Sequence, residues 1–325
     1  MKAFVCHTLS DDLFGTGIQD LPAPEPGPGE IRVRVKATSV NYPDILLCQG
    51  KYQLKLEPPF TPGMDISGVV DAVGVGVTEH APGDEVVGGA RFGGFAEFIT
   101  VPGRSMRRKP FNLSFAQAAA IPAAYLTAYV ALIERANLQE GETLLVHGAT
   151  GGVGLAAVDV GRLLGAKVIA TSGSKEKLFK LVEYGAGHGV LADDGMKHAI
   201  KTMTQNKGVD VVFDPVGGDI FDQSTRCMAF NGRLLVVGFT SGRIATVPSN
   251  IPLIKGFSVV GVRAGEYSRQ FPERGEEILR HIWMWAEDGK INPLVHAEYP
   301  LSETRQAFQA LLDRSVFGKV IVSQA

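Results

Sequence analysis

Cysteine is scarce in this chain: three occur in 325 residues, Cys6, Cys48 and Cys227, far apart and without a CxxC pair. That usage argues against a disulfide framework and fits a reducing cytoplasm, with all three thiols expected to be buried and free. No apolar run approaches the roughly 20 residues of a membrane span. The opening residues, apolar from Ala3 to Cys6, turn polar at Ser10-Asp11-Asp12 and read as a strand rather than as a secretory or transit leader. A dominant charge is missing too. The 32 Lys and Arg against 34 Asp and Glu give a formal net charge of -2, with no long basic or acidic run. Nothing there provides an electrostatic footprint for nucleic acid or an anionic membrane. The expected partner is a small molecule. Seven histidines are present, at 7, 80, 147, 188, 198, 281 and 296, in no HxH or HExxH grouping.

What is abundant is apolar residue and glycine, 45% and 39 residues respectively. A chain of this length exceeds one small core, so two domains are expected. Residues 1–123 read as short strands punctuated by Pro and Gly, among them 31–36, 68–74, 85–87 and 95–101. The clusters at 22–29 and 58–63 are turns within that domain, because each Pro removes a ladder donor. Beyond Ala123 strands alternate with helices: 144–147, a helix from 152, 167–171, helix 175–184, 190–191, helix 196–205, 209–213, helix 219–228, 233–238 and 258–262. Such alternation means a parallel, doubly wound sheet, and the fold class is α/β. Gly165 and Gly185, just past two helices, are placed for left-handed caps. A long helix from about 273 carries Ile278, Ile282, Trp285 and Ala286. The tail 318–323 is a strand too short to stand alone, so 265–325 is expected to return to the first domain, with 124–264 forming the second and a ligand cleft between them.

The most informative segment is strand 143–147 running through Gly148, Ala149, Thr150, Gly151, Gly152, Val153 and Gly154 into a helix with Val153, Ala156, Ala157, Val160 and Leu164 at helical spacing. A dinucleotide pyrophosphate needs backbone N–H groups and the positive end of a helix dipole, approached without an intervening Cβ. Gly151 permits that approach, Gly154 lets helix and strand pack closely, and Ala149 stands at the first glycine of the usual pattern. The alternative is a plain turn between a buried strand and its helix.

Several further segments occur in order: Asn41-Tyr42-Pro43-Asp44, Gly50-Lys51-Tyr52, Pro62-Gly63-Met64-Asp65, Pro82-Gly83-Asp84, Ala124-Tyr125-Leu126-Thr127, Asp214-Pro215-Val216-Gly217-Gly218 and Gly318-Lys319-Val320. Together they resemble the zinc-free quinone oxidoreductase, ζ-crystallin-like branch of the medium-chain dehydrogenase/reductase superfamily over essentially the whole chain. The resemblance implies a GroES-like β-rich catalytic domain, a Rossmann domain and a homodimer joined at sheet edges near 258–262. It also implies that Asn41 stands where zinc-dependent relatives have Cys, and Met64-Asp65 where they have a His-Glu pair, so no metal is expected. A site without thiolate or imidazole lacks the ligands zinc requires, and alcohol dehydrogenation through a Lewis acid is demoted.

NADPH is the expected cofactor. Rossmann sites that prefer NAD carry a carboxylate at the end of the second strand, whereas Ser172-Gly173-Ser174-Lys175-Glu176-Lys177 stands here. Ser172 and Ser174 offer hydroxyl donors and Lys177, by resemblance, a phosphate contact; Ser174 also reads as an N-cap with solvated lysines behind it. Ala192-Asp193-Asp194 replaces a phosphate-contacting Tyr of some relatives and weakens that site. Arg314 matches a family arginine that reaches the cofactor, or is an exposed helix-end charge.

At the reacting end, Asn41 and Tyr42 are the catalytic candidates, one for a carbonyl or ribose hydrogen bond, the other for proton donation to a developing oxyanion. Asn41 is also a good cap, Asp44 a dipole complement, and Asp65 a structural carboxylate in a turn. Resemblance places Thr127 near the nicotinamide. Gly238 and Phe239 follow one strand and are expected to touch the cofactor, and Arg263 and Tyr267 follow the next. Phe239, Arg263, Tyr267 and Tyr125 are the expected acceptor pocket at the carboxyl ends of the sheet, with Arg263 there for an acidic substrate or else a plain surface charge. The leading function is two-electron reduction of quinones by NADPH. The alternatives are reduction of activated alkenes (enone, acrylate or enoyl thioester) and a non-catalytic NADPH-binding structural role.

Overall fold

Alternation of buried and exposed residues builds the first unit. Strand β1 (Lys2–Cys6) pairs antiparallel with β2 (Thr16–Asp20). Then come β3 (Glu30–Ser39), β4 (Asp65–Val73), β5 (Glu85–Gly89), β6 (Phe98–Pro102) and β7 (Met106–Arg108). Ile31, Val33 and Val35 of β3 point to one face, where Ile66, Val70, Val86, Ile99 and Val101 meet them in a dry core. A second core joins Phe4, Phe95 and Phe308, whose rings meet edge to face at 5.5–6.5 Å. The computed structural model describes residues 1–324.

The second unit is an all-parallel sheet. Its strands are β8 (Thr143–Val146), β9 (Lys167–Ser172), β10 (His188–Leu191), β11 (Val209–Asp214), β12 (Met228–Val236) and β13 (Ser258–Gly261). They lie in the order β10-β9-β8-β11-β12-β13, so the order reverses between β8 and β11, where the carboxyl ends open a crevice in doubly wound sheets. The central strands are buried on both faces, as helix-covered parallel sheets require. Gly165 and Gly185 adopt φ of +75° and +127°, ending their helices as expected. Strand β12 starts five residues before the expected Arg233, with Asn231 (φ +61°) and Gly232 lying inside it.

The tail returns to the first unit. Strands β14 (Val295–Pro300) and β15 (Lys319–Ser323) extend its sheet, with β15 antiparallel to β3. The boundary differs from expectation. The first unit comprises Met1–Ala123 and the chain from Asn292 onward, and the second is Ala124–Ile291, so residues 265–291 belong to the second unit. The reason is the apolar stripe of helix Pro272–Glu287, with Ile278, Ile282, Trp283 and Ala286 buried. It is anchored by Tyr129 Oη at 2.8 Å from His281 Nδ1 and by the Arg274–Glu134 ion pair at 2.6 Å. Among the described residues no helix is long and apolar enough to cross a membrane.

Candidate active site

The glycine turn of the second unit is built from backbone. After β8 the chain passes through Gly148 (φ +56°) to Gly151, which caps helix Gly152–Leu163 in an extended conformation with no side-chain acceptor for the first-turn amides. A Cβ on Gly154 would collide with the Gly148 carbonyl oxygen and lie 2.7 Å from Ala149 Cα. The turn and the helix therefore approach as closely as a side-chain-free residue allows, leaving donors for an anion at the positive end of the dipole. His147, at the end of the strand, is fully buried between Thr171 Oγ1 (3.0 Å) and Ser224 Oγ (2.7 Å). Burial lowers its pKa, so it is a neutral pin between elements, not a ligand or a base.

At the end of β9, Ser172 is buried and its Oγ accepts from the Ser174 amide at 3.2 Å. Ser174 caps the following helix, accepting from the Lys177 amide at 3.4 Å. Both readings of Ser174 are thus compatible, because the cap uses one lone pair and leaves the hydroxyl proton. Gly173 is exposed, and a Cβ there would meet open space. Lys177 is half-buried, and burial lowers its ammonium pKa. Asp193 folds back on its own loop, its Oδ1 accepting from the Gly195 amide at 2.8 Å. An uncapped helix start after a glycine turn, with Ser172 at the end of the next strand, fits a nicotinamide dinucleotide.

The expected acceptor pocket is only partly assembled. The segment after β12 folds onto the loop after β11: Thr240 and Ser241 amides donate to the Pro215 and Val216 carbonyls at 3.1 and 2.9 Å. Asp214 Oδ1 accepts from the Val216 and Gly217 amides. Gly238 lies in this bend and Phe239 is left 41% exposed beside it. Tyr125 is not pocket lining. It is 2% exposed, and its hydroxyl donates to Asp159 Oδ2 at 2.6 Å, where Tyr184 also donates at 2.7 Å. A buried carboxylate needs such donors, and this one claims the phenol. Tyr267 is half-buried against Phe271 with its hydroxyl given to Glu134 Oε2 at 2.8 Å, and Arg263 is exposed, 3.9 Å from Glu266. Thr127 is half-buried on helix Pro122–Tyr129.

In the first unit, helix Tyr42–Cys48 begins directly after β3. Asn41, the cap, is 6% exposed, and its polar atoms are all engaged. Its backbone amide donates to Asp44 Oδ2 at 2.8 Å and its carbonyl accepts from the Asp44 amide at 3.0 Å. Its Nδ2 donates to Asp65 Oδ2 at 2.9 Å, and its Oδ1 accepts from Lys319 Nζ at 2.8 Å. Asp65 also accepts from Ser39 Oγ at 3.1 Å, and Asp44 Oδ1 from the Gly63 amide at 3.0 Å. Burial pushes the Asp44 carboxyl up to about 7, raises that of Asp65, and lowers the Lys319 ammonium. Asp44 is more than the dipole complement expected, and Asp65 does not lie in a turn but opens β4. Lys319 joins the site although nothing in the sequence around it, Gly318-Lys319-Val320, signals a contact with Asn41. Tyr42 is half-buried beside this knot, and Arg314 is exposed at the end of helix Thr304–Leu312 with φ +54°.

Among the described residues, no three His, Cys, Asp or Glu gather to hold a metal. Asn41 and Met64 supply neither thiolate nor imidazole, so the donor set here does not fit zinc.

Residues 27–111 match the family of alcohol dehydrogenase GroES-like domains, and residues 152–280 the zinc-binding dehydrogenase family. The chain is 40% identical to quinone oxidoreductase-like protein 2 of Rattus norvegicus over 324 residues, covering 99% of this chain and 92% of that protein. The structure of Escherichia coli quinone oxidoreductase complexed with NADPH is similar at a TM-score of 0.90 and 27% identity, covering both chains fully (100% and 100%). The CurK enoyl reductase structure is similar at a TM-score of 0.90 and 27% identity, over 100% of this chain and 99% of that one.

Proposed function

Because the chain belongs to the zinc-free quinone oxidoreductase branch of the medium-chain dehydrogenase/reductase superfamily, we propose that this oxidoreductase reduces quinones by two electrons at the expense of NADPH. The observation that carries the cofactor choice is Ser172 at the end of β9, where a carboxylate would repel a 2′-phosphate. NADPH, when bound, supplies the hydride. The first-turn amides of Gly152, Val153 and Gly154 would hold its pyrophosphate, on a turn that Ala149, Thr150 and Gly151 shape: the Gly151 amide is given to the Gly148 carbonyl at 3.0 Å and the Ala149 amide to the Thr171 carbonyl at 3.3 Å. Ser172, Gly173, Ser174 and Lys177 take the 2′-phosphate; Gly238, Phe239 and Arg314 complete the cofactor contacts. The acceptor gains a hydride and a proton, and Tyr42 donates that proton to the quinone oxygen. Asn41 has no polar atom without a partner, so its part is to hold Tyr42, with Thr127 positioning the nicotinamide end. Phe239 offers the apolar wall that a flat acceptor needs.

A second reading is favoured by the likeness to an enoyl reductase: the same hydride goes to the β-carbon of an activated alkene and Tyr42 protonates the α-carbon. Anaerobic NADPH oxidation by the purified protein, with an ortho-quinone and an activated acrylate at matched concentrations, separates the two. Faster quinone reduction supports the first reading, acrylate reduction alone the second, and NADPH binding with neither turnover a non-catalytic role. Tyr42→Phe lowers turnover by about tenfold or more if Tyr42 is the proton donor; a change below about threefold sinks that assignment.

We also propose a homodimer through β13. This edge strand is mostly exposed, and the preceding helix Asn250–Lys255 buries none of its residues, leaving Leu253 and Ile254 81% and 74% exposed. An unpaired edge flanked by bare apolar side chains invites a symmetric partner. Sedimentation of the wild type and of Leu253→Lys tests it: a wild-type monomer rejects the proposal.

A further inference from the structure

Lys319 is fully buried among groups that all belong to the first unit, and nothing in the proposed chemistry uses it. Its ammonium reaches Asn41 Oδ1 at 2.8 Å and the Val40 carbonyl at 3.2 Å. The carboxamide it touches is held from the other end by Asp65. We propose that Lys319 is a positioning residue: it fixes the orientation of the Asn41 carboxamide and, through it, the turn that carries Tyr42.

The argument is one of donor and acceptor matching. An ammonium can only donate and an ionised carboxylate can only accept. With the amide as found, both contacts are complementary. Rotating it by half a turn would set Nδ2 against Lys319 and Oδ1 against Asp65, turning two attractive charge-assisted contacts into two repulsive ones where water cannot screen them. The Asn41 backbone is tied in addition to Asp44, so the amide plane and the start of the Tyr42 helix are set together. Asp65 at the start of β4 and Lys319 at the start of β15 flank β3 on either side in one sheet. The clamp therefore spans three strands and transmits their rigidity to one side chain. Asp65, joined by Asp44 once that carboxyl loses its proton, is the counter-charge that lets an ammonium stay inside.

The inference rests on the proposed role of Tyr42 only for its effect on turnover, so the test has arms that do not need it. In the wild type, the Asn41 side-chain amide protons should give one NMR resonance pair with slowed solvent exchange; exchange at the rate of a free amide overturns the proposal outright. Lys319→Met alone strands Asp65, so the informative variant is Lys319→Met with Asp65→Asn, which removes both charges at nearly constant shape. That double variant should melt within a few degrees of the wild type, bind NADPH within about twofold, lose the slow exchange at Asn41, and lose about tenfold or more in kcat with little change in KM. If it keeps the slow exchange and the turnover, Lys319 merely balances charge and the proposal is wrong. Absence of wild-type turnover with any acceptor would defeat the proposed function instead, while the exchange measurement would still decide the clamp.

Discussion

The two candidate regions solve opposite problems. The Asn41 cluster in the first unit gathers Ser39, Asp44, Asp65 and Lys319 in the interior and satisfies each from within, Asp44 by the Asn41 and Gly63 amides and the others by side chains. The glycine turn in the second unit removes side chains and leaves the backbone donors of the helix start without a side-chain cap. The first is rigid because its charges have no exit to water; the second is receptive because no side chain claims its first-turn amides. Damage to the first should therefore appear as lost stability, and damage to the second as lost cofactor affinity.

The sharpest break in that contrast is Asp65→Ala. It leaves the Lys319 ammonium buried without the carboxylate that most favours its charge. Breaking a buried pair in direct contact costs about 3–5 kcal/mol, the upper limit for two charges joined through the Asn41 carboxamide. Denaturant unfolding should show that loss; a change near zero would mean that the charges are not interdependent.

Proton linkage tests the same cluster without disrupting it. The Asp44 carboxyl is pushed up to about 7 mainly by burial, with Asp65 adding to the shift and the Asn41 and Gly63 amides and Lys319 opposing it. The folded state then holds a proton that the unfolded chain has already released. The stability this proton contributes is complete below the ordinary carboxylate range near 4 and is lost as pH rises to about 7, at up to about 1.4 kcal/mol per pH unit. Asp65, raised in the same direction, adds to the slope. Asp44→Asn should flatten the stability profile between about pH 4 and 7, whatever its effect on absolute stability. An unchanged slope would show that Asp44 is ionised throughout.

In the second unit, Gly154→Ala forces a Cβ onto the Gly148 carbonyl and Ala149 Cα, which are backbone and have little room to give. Overpacking of this kind costs about 1–3 kcal/mol. Because the displaced atoms form the turn itself, NADPH affinity should fall by more than stability does. Equal losses by calorimetry and cofactor titration would remove the distinction between the two regions.

This contrast also explains what the sequence reveals. The glycine turn is legible because it is contiguous: strand, turn and helix follow one another within 143–163, and each glycine has a local steric reason. The parallel sheet follows from the same alternation. The Asn41 cluster is not legible, because its members lie 24 and 278 residues from Asn41, and no periodicity announces that Asp65 and Lys319 will meet. Tyr125 fails for a related reason: its claim by Asp159, 34 residues on, turns a candidate pocket wall into core. The sequence places helix Pro272–Glu287 with the returning tail because the two are adjacent in the chain, but its apolar stripe needs only a face to cover and finds one beside Tyr129.

The smallest change probes the finest feature, the choice between nicotinamide cofactors. Ser172 is buried at the end of β9 with its Oγ turned to the Ser174 amide. An Asp in its place keeps that acceptor and adds a charge where the adenosine ribose is expected. A 2′-phosphate would then face a carboxylate across a few ångströms, while a 2′-hydroxyl would find an acceptor. Ser172→Asp should weaken NADPH by about tenfold, about 1.4 kcal/mol, and leave NADH unchanged or tighter in a fluorescence titration. Equal weakening of both would mean that the substitution disturbs the turn rather than the phosphate site. No change in either would place the 2′-phosphate away from Ser172 and leave Lys177 to carry the preference, a result that Lys177→Ala, with NADH as the internal control, would then have to match.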